Sequence, residues 1–282
     1  MNYRHEFHAG NFADVFKHIF LTRSLLYLRR KDTPFRYIDT HAGSGSYDLA
    51  AEEAARTVEW RDGIARLAKA EIPEPLRGLI APYLSLVGEC DAEGRPAVYP
   101  GSPMIAKALL RQQDRMICCE LHPRAYAALK INLGRDRRAK LISINGFTGL
   151  NAFVPPKERR GLVLIDPPFE ERDELAQMLA AVTAAYRKWP SGMYMLWYPV
   201  KDPGATNAFA SELVRNGLKR LLRLELQVDE LERSHGLVRS GLILINPPFG
   251  LSDEAQVLLP WLSRHLAKST SFDHRVEWLA GE

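Results

Sequence analysis

Gly161-Leu162-Val163-Leu164-Ile165-Asp166-Pro167-Pro168-Phe169-Glu170 is the stretch that decides the fold. Four aliphatic residues bounded by a glycine and two prolines read as a buried parallel strand. The Asp-Pro-Pro-aromatic tetrad then stands at the strand's carboxyl end, the edge at which open α/β sheets bind ligands. Two successive prolines cannot continue a ladder, and they fix the backbone. The Asp166 carboxylate and the Pro167 carbonyl therefore become rigid acceptors beside the ring of Phe169. Such a site suits a planar group that carries an amine: two acceptors hold the amine hydrogens while a ring stacks on the base. Taken alone, the tetrad also reads as a strand followed by a proline turn with an N-capping Asp.

Moving outward, Arg36 to Asp39 forms another short strand, followed by Thr40-His41-Ala42-Gly43-Ser44-Gly45-Ser46. Gly43 and Gly45 allow the close backbone approach that a nucleoside-type cofactor over the first strand requires. With two glycines and no convincing third, the turn argues against a nicotinamide or flavin. Arg115 to Cys119 is a third strand ending in Glu120, an acid suited to accept from both ribose hydroxyls of a cofactor. Lys140 to Ile144 gives a fourth strand ending at Asn145-Gly146, where an adenine amine can be met; read alone, that pair is a turn.

Glu120 lies 77 residues (120 − 43) after Gly43, where a compact βαβ unit has about 20. Something is inserted. Ala50 to Leu67 has helical spacing, Leu76 to Leu86 is a second helical pattern, and Gly94 to Pro103 is loop-like. The expected organisation is an α/β Rossmann-like domain over 1–47 and 96–282, with an inserted helical subdomain over 48–95.

These motifs, with the opening Tyr3-Arg4-His5-Glu6-Phe7-His8-Ala9-Gly10-Asn11-Phe12-Ala13-Asp14-Val15-Phe16-Lys17-His18, Tyr99-Pro100-Gly101-Ser102-Pro103 and Glu120-Leu121-His122-Pro123, closely resemble the bacterial RlmJ family. The match runs nearly end to end, to Leu259-Pro260-Trp261-Leu262. The resemblance implies a class I, S-adenosylmethionine-dependent adenine-N6 methyltransferase of 23S ribosomal RNA. By matching positions it puts the cofactor pocket on His18, His41, Ser102, Glu120, Asn145, Gly146 and Asp166, beside the cofactor-binding Gly43 of the glycine turn. It puts the catalytic acceptor on Asp166, with Pro167 and Phe169 beside it and Tyr3, His5 and Lys17 near the substrate base. The chain departs from the family pattern twice. Asn145 stands where Asp is usual, and its side-chain oxygen still accepts from an adenine amine, so weaker binding rather than loss is expected. Phe169 stands where Tyr is frequent, and a phenyl face still stacks.

Composition agrees with a cytoplasmic enzyme. A length of 282 residues, 46% of them hydrophobic, allows one large domain with a subdomain. No apolar run suits a membrane span, and the amino terminus has no signal-peptide character. Three cysteines offer neither a disulfide framework nor metal spacing, and His5-x-x-His8 lacks a third ligand, so no metal is expected. The net charge is only +4, so local clusters (Arg29-Arg30-Lys31, Arg135 to Lys140, Lys157 to Arg160, Arg187-Lys188) are the candidates for phosphate contact, each of which also reads as a solvated face. The expected partner is 23S RNA, protein-free or in an early assembly particle, and the protein is expected to act as a monomer.

Leu242 to Asn246 with Pro247-Pro248-Phe249 repeats the strand-plus-tetrad pattern. Strand order favours Asp166: Asp39, Glu120, Asn145 and Asp166 close strands one to four, which puts Asp166 beside the first strand. Tyr194 to Trp197 is a fifth strand, Leu221 to Val228 and Leu242 to Asn246 a final antiparallel pair, and the stretch from Phe272 a short edge strand. Two other functions fit parts of this pattern, a DNA adenine methyltransferase and a non-catalytic RNA-binding assembly factor. Intact Asp166, Gly43 and Glu120 argue against the second.

Overall fold

The computed structural model describes residues 5–171, 173–231 and 236–281. Its strands are β1 (Arg36–Asp39), β2 (Ser46–Asp48), β3 (Val98–Pro100), β4 (Arg115–Cys119), β5 (Ala139–Ile142), β6 (Gly161–Ile165), β7 (Met193–Pro199), β8 (Leu221–Gln227), β9 (Arg239–Ile245) and β10 (Asp273–Ala280). The α-helices are α1 (Phe12–Arg29), α2 (Glu52–Thr57), α3 (Ile64–Ala68), α4 (Glu74–Val87), α5 (Ser102–Leu109), α6 (Pro123–Leu133), α7 (Gly146–Phe153), α8 (Glu174–Lys188), α9 (Pro203–Arg215) and α10 (Leu251–His265).

Eight strands form one sheet in the order β10-β8-β9-β7-β6-β1-β4-β5. Strands β5, β4, β1, β6 and β7 are parallel, while β9 runs antiparallel to both β7 and β8, and β10 antiparallel to β8. The chain fills one side of β1 with β4 and β5, then returns to pair β6 against the other side. The crevice at the carboxyl ends of β1 and β6 is thus the topological switch point. This is a Rossmann-like sheet.

Alternation along the strands separates two apolar layers. Leu162 and Leu164 of β6 join a cluster with α1, α5 and α10, whereas Val163 and Ile165 join the cluster beneath α7, α8 and α9. Asn11 starts α1 by accepting the Asp14 backbone N–H, and Arg29 lies in its last turn, both favourable for a helix. Asp14, Lys17 and His18, spaced i, i+3, i+4, lie on one face of α1.

Two expectations need correction. Ala50 to Leu67 is not one helical run: it divides into α2, a 3₁₀ turn over Glu59–Asp62, and α3. Gly63 marks the break, since a Cβ there would lie 2.1 Å from the Gly10 carbonyl, which itself accepts the Ile64 N–H. Gly94 to Pro103 is not wholly loop, because Val98–Pro100 pairs with Ser46–Asp48 as an antiparallel ribbon. Three residues ending in proline show no period, so only the distant partner makes them a strand. The ribbon closes the base of α2 to α4, whose Ile64, Leu67, Ile80 and Tyr83 share the α1-side cluster. Among the described residues no helix is long and apolar enough to cross a membrane.

Candidate active site

A cavity of about 260 Å³ opens at the switch point. From the β6 end come Asp166, Pro167 and Pro168; from the turn after β1, His41, Gly43 and Ser44; from α1, Lys17 and His18. Ser102 at the start of α5, Glu120 after β4, and Asn145 with Gly146 at the start of α7 complete the wall, and His5 lines it as well. Asn145, Gly146 and the other expected cofactor residues are thus brought together in one cavity. Tyr3 lies outside the described residues. Phe169 is not in the wall: with a left-handed φ of 53°, its ring turns edge-on to Trp197, centroids 5.6 Å apart.

Both Glu120 oxygens hold backbone. Oε2 accepts the Gly43 N–H at 2.7 Å and Oε1 the His122 N–H at 2.7 Å, and each keeps a further lone pair for a hydroxyl. Burial pushes the Glu120 carboxyl up. The turn needs its glycines: Gly43 has φ +61°, and a Cβ there would meet the Tyr47 hydroxyl at 2.4 Å.

Burial holds His18 and His41 neutral, lowering them to about 3 and about 4. His18 Nδ1 shares a 2.8 Å bond with the Tyr99 hydroxyl, which also meets Tyr83, while Nε2 is buried without a partner among the described residues. The Thr40 hydroxyl donates to the Leu164 carbonyl at 3.1 Å, so His41 Nδ1, 2.8 Å away, donates to Thr40 and leaves Nε2 as an acceptor. Gly146 packs on that pair, where a Cβ would lie 2.3 Å from the Thr40 carbonyl and 2.6 Å from His41 Nε2. Asn145 Oδ1 caps α7, accepting from the Phe147 and Thr148 N–H groups.

Two carboxylates that the sequence reading left without a role support the floor. Asp39 is fully buried and pushed up to about 6 by that burial. Its Oδ2 accepts from Ser102 Oγ and the Tyr37 hydroxyl, each at 2.7 Å, while Oδ1 has no partner among the described residues. The Ser102 hydrogen is thereby used, so its oxygen faces the cavity as an acceptor. Asp14 binds Lys17 and His5. Lys17 Nζ also lies 2.6 Å from Asp166 Oδ2, and although burial works to lower it, Asp14 and Asp166 together raise the ammonium above the usual lysine range. The i, i+3 spacing of Asp14 and Lys17 was the available signal for this pair.

Asn246 sits elsewhere. Because β9 runs antiparallel to β7, its carboxyl end lies at the opposite sheet edge, where Asn246 Nδ2 donates to the carbonyls of Pro190 (2.8 Å) and Gly192 (2.7 Å). Several cluster cations are also committed to structure: Arg138 to Asp136 and the Leu110 and Lys107 carbonyls, Arg160 to the Leu28 and Thr33 carbonyls, and Lys188 to that of Asn151. No group of three His, Cys, Asp or Glu among the described residues is placed to hold a metal ion.

Residues 32–280 match the family model described as ribosomal RNA large subunit methyltransferase D, RlmJ. The chain belongs to the RlmJ family. It is 38% identical to ribosomal RNA large subunit methyltransferase J of Escherichia coli K12 and 39% identical to that of Haemophilus influenzae, each alignment covering both chains fully. A Legionella pneumophila protein of known crystal structure superposes with a TM-score of 0.85 at 36% identity, over 96% of this chain and 98% of that one.

The cofactor of an RlmJ methyltransferase is S-adenosylmethionine, and the cavity fits it. Glu120 suits a ribose diol, Asp166 and Glu120 suit a cationic ligand, and the glycine cradles of Gly43 and Gly146 let backbone approach it. The unpartnered His18 Nε2, in the cavity wall, is a buried polar atom of the kind that a ligand satisfies. When bound, S-adenosylmethionine supplies an electrophilic methyl group.

Proposed function

We propose that this protein methylates the N6 amine of a specific adenine in 23S ribosomal RNA by direct transfer from S-adenosylmethionine. The observation that carries the reading is the placement of Asp166 and Pro167, rigid acceptors side by side in the cavity wall next to β1. In this reading Asp166 and the Pro167 carbonyl accept the two amine hydrogens of a base turned out of its stack, and so orient the nitrogen lone pair. The nitrogen lone pair would form the bond to the methyl as that group's bond to the donor sulfur breaks, leaving a neutral thioether, and one amine hydrogen would pass as a proton to Asp166. Lys17 keeps a positive charge against that carboxylate. His18, His41, Gly43, Ser102, Glu120, Asn145 and Gly146 hold the methyl donor, and Tyr3, His5 and Phe169 serve the base, Phe169 by turning from Trp197.

The names of the relatives support ribosomal RNA of the large subunit as substrate. A flipped base must be reachable, which favours protein-free 23S RNA or an early assembly particle over finished subunits. The setting is then the cytoplasm, and the protein acts as a monomer. Residues 48–95 are taken as a helical insertion in the methyltransferase domain, a reading supported by the β2–β3 ribbon at their base.

The test offers labelled S-adenosylmethionine with naked 23S RNA, mature large subunits, duplex DNA and cell protein in parallel, then digests labelled RNA to nucleosides. N6-methyladenosine from naked RNA is expected. Label mainly in DNA would make this a DNA methyltransferase, label in another nucleoside would overturn the N6 assignment, and no label despite donor binding would leave an assembly factor.

A further inference from the structure

Asp14 stands behind the cavity wall and joins the residues expected on the substrate side. Its side chain is 2% exposed. Oδ1 lies 2.9 Å from Lys17 Nζ; Oδ2 lies 2.9 Å from His5 Nε2 and also accepts the Gly10 N–H at 3.0 Å. Lys17 in turn meets Asp166 Oδ2 at 2.6 Å. One buried ammonium therefore bridges two carboxylates, one from α1 and one from the catalytic tetrad. His5, held by the same Asp14, packs against Tyr47 with ring centroids 4.9 Å apart.

This arrangement meets a specific difficulty. An amine that donates to Asp166 competes with Lys17 for the same carboxylate. If Asp166 were the sole counter-ion, yielding to the amine would strand a buried cation, and buried charges tolerate that poorly. A second carboxylate within reach removes the conflict, because the ammonium can settle on Asp14 while Asp166 turns to the base. Asp14 is well suited to this. Burial works to raise its carboxyl, but His5 and Lys17 hold it well below the usual range, and the Asn11 cap and Gly10 N–H fix it in place.

We infer that Asp14 is a positioning residue: the fixed counter-ion that retains Lys17 while Asp166 exchanges its bond to Lys17 for bonds to the target amine. The inference rests on the amine-methylating function proposed above. Its consequence is a separation of effects, since Asp14 governs the transfer step through Lys17 and leaves donor binding alone.

The experiment compares full-length wild type, Asp14→Asn, Lys17→Met and the double variant, reading donor affinity by calorimetry and single-turnover transfer to naked 23S RNA. Asp14→Asn should lower the transfer rate by at least about tenfold, within the coupling range of neighbours in one charged network, with donor affinity within about twofold of wild type. The double variant should be no slower than Lys17→Met, because without the cation no counter-ion is needed. A merely structural Asp14 would weaken donor binding, and its effect would add to that of Lys17→Met. Either result, or an Asp14→Asn protein as fast as an active wild type, overturns the inference alone. Should Asp14→Asn fail to fold, the double variant decides: it must fold and bind donor, and failure to do so also overturns the inference. No transfer by the wild type overturns the proposed substrate instead.

Discussion

Glu120, at the end of β4, and Gly43, in the turn after β1, are joined by a 2.7 Å hydrogen bond from the Gly43 N–H to Oε2. The acid expected to receive a ribose is thus also the brace that shapes the glycine turn beside it. Removing it should cost donor affinity directly and through a loosened turn. Glu120→Ala is expected to weaken S-adenosylmethionine binding by roughly 1.5–3 kcal/mol, the range for hydrogen bonds to a charged group, with the fold retained. Titration calorimetry alongside circular dichroism checks this, and unchanged affinity would sink the ribose role.

Asp166 and Asn246 have matching local sequences and opposite surroundings. Asp166→Ala should reduce transfer by at least about 100-fold, the scale for losing a positioned electrostatic or proton-accepting group. Donor affinity should fall less, and Lys17 keeps Asp14 as its partner. Asn246→Ala should leave the rate per folded molecule near normal but lower stability by about 1–3 kcal/mol, because the Pro190 and Gly192 carbonyls lose their donor. Rates measured with urea melts separate the two, and a reversed ranking would mean that the wrong tetrad has been assigned.

These two tetrads show what was legible in sequence. The run Leu162 to Ile165 and its neighbours announce parallel strands through apolar content and Gly/Pro boundaries, and the strand order follows once Asp39, Glu120, Asn145 and Asp166 are counted. Local sequence does not carry direction: Asn246 closes a strand as convincingly as Asp166, and only the antiparallel pairing of β9 moves it to the far edge. Asp14 and Asp39 stayed inconspicuous because a single carboxylate in a helix or at a strand end resembles any capping or surface acid. Their importance comes from partners at Lys17, His5, Ser102 and Tyr37, which tertiary packing supplies. Phe169 was legible as an aromatic beside the acceptors, but its turn toward Trp197 depends on β7.

Asn145 and Gly146 offer a paired test at the start of α7. Asn145→Asp preserves the acceptor that caps Phe147 and Thr148 and adds negative charge at a helix amino terminus, worth about 0.3–1 kcal/mol of stability. Donor affinity should be equal or tighter, and marked weakening would show that Asn145 meets a different partner. Gly146→Ala should lower donor affinity by at least about 1 kcal/mol, the lower end for overpacking, since its methyl would press on Thr40 and His41. Calorimetry on the two variants is sufficient, and a fully tolerated Ala would show that the Thr40–His41 cradle is not needed for binding.

The buried titratable groups of the cavity oppose one another as pH falls. His18 and His41 are held to about 3 and about 4 in the fold, against about 6.5 in an unfolded chain. The unfolded state therefore takes up their protons first, and the stability they contribute above pH 6.5 is lost as pH falls toward those values. Asp39 has the opposite sign. Burial raises it to about 6, so the folded state binds the proton first, and its contribution, fully present below about 4, is lost as pH rises through 6. Between pH 6 and 5 each histidine costs about 1 kcal/mol of stability, while Asp39 and Glu174, the latter raised to about 7 by burial in the same cavity wall, offset them. Relative to wild type, His18→Gln should therefore gain about 1 kcal/mol on going from pH 6 to 5, and Asp39→Asn should lose about 1 kcal/mol. Urea midpoints at closely spaced pH values provide the measurement. A His18→Gln profile parallel to that of the wild type would show that His18 is not held neutral by burial.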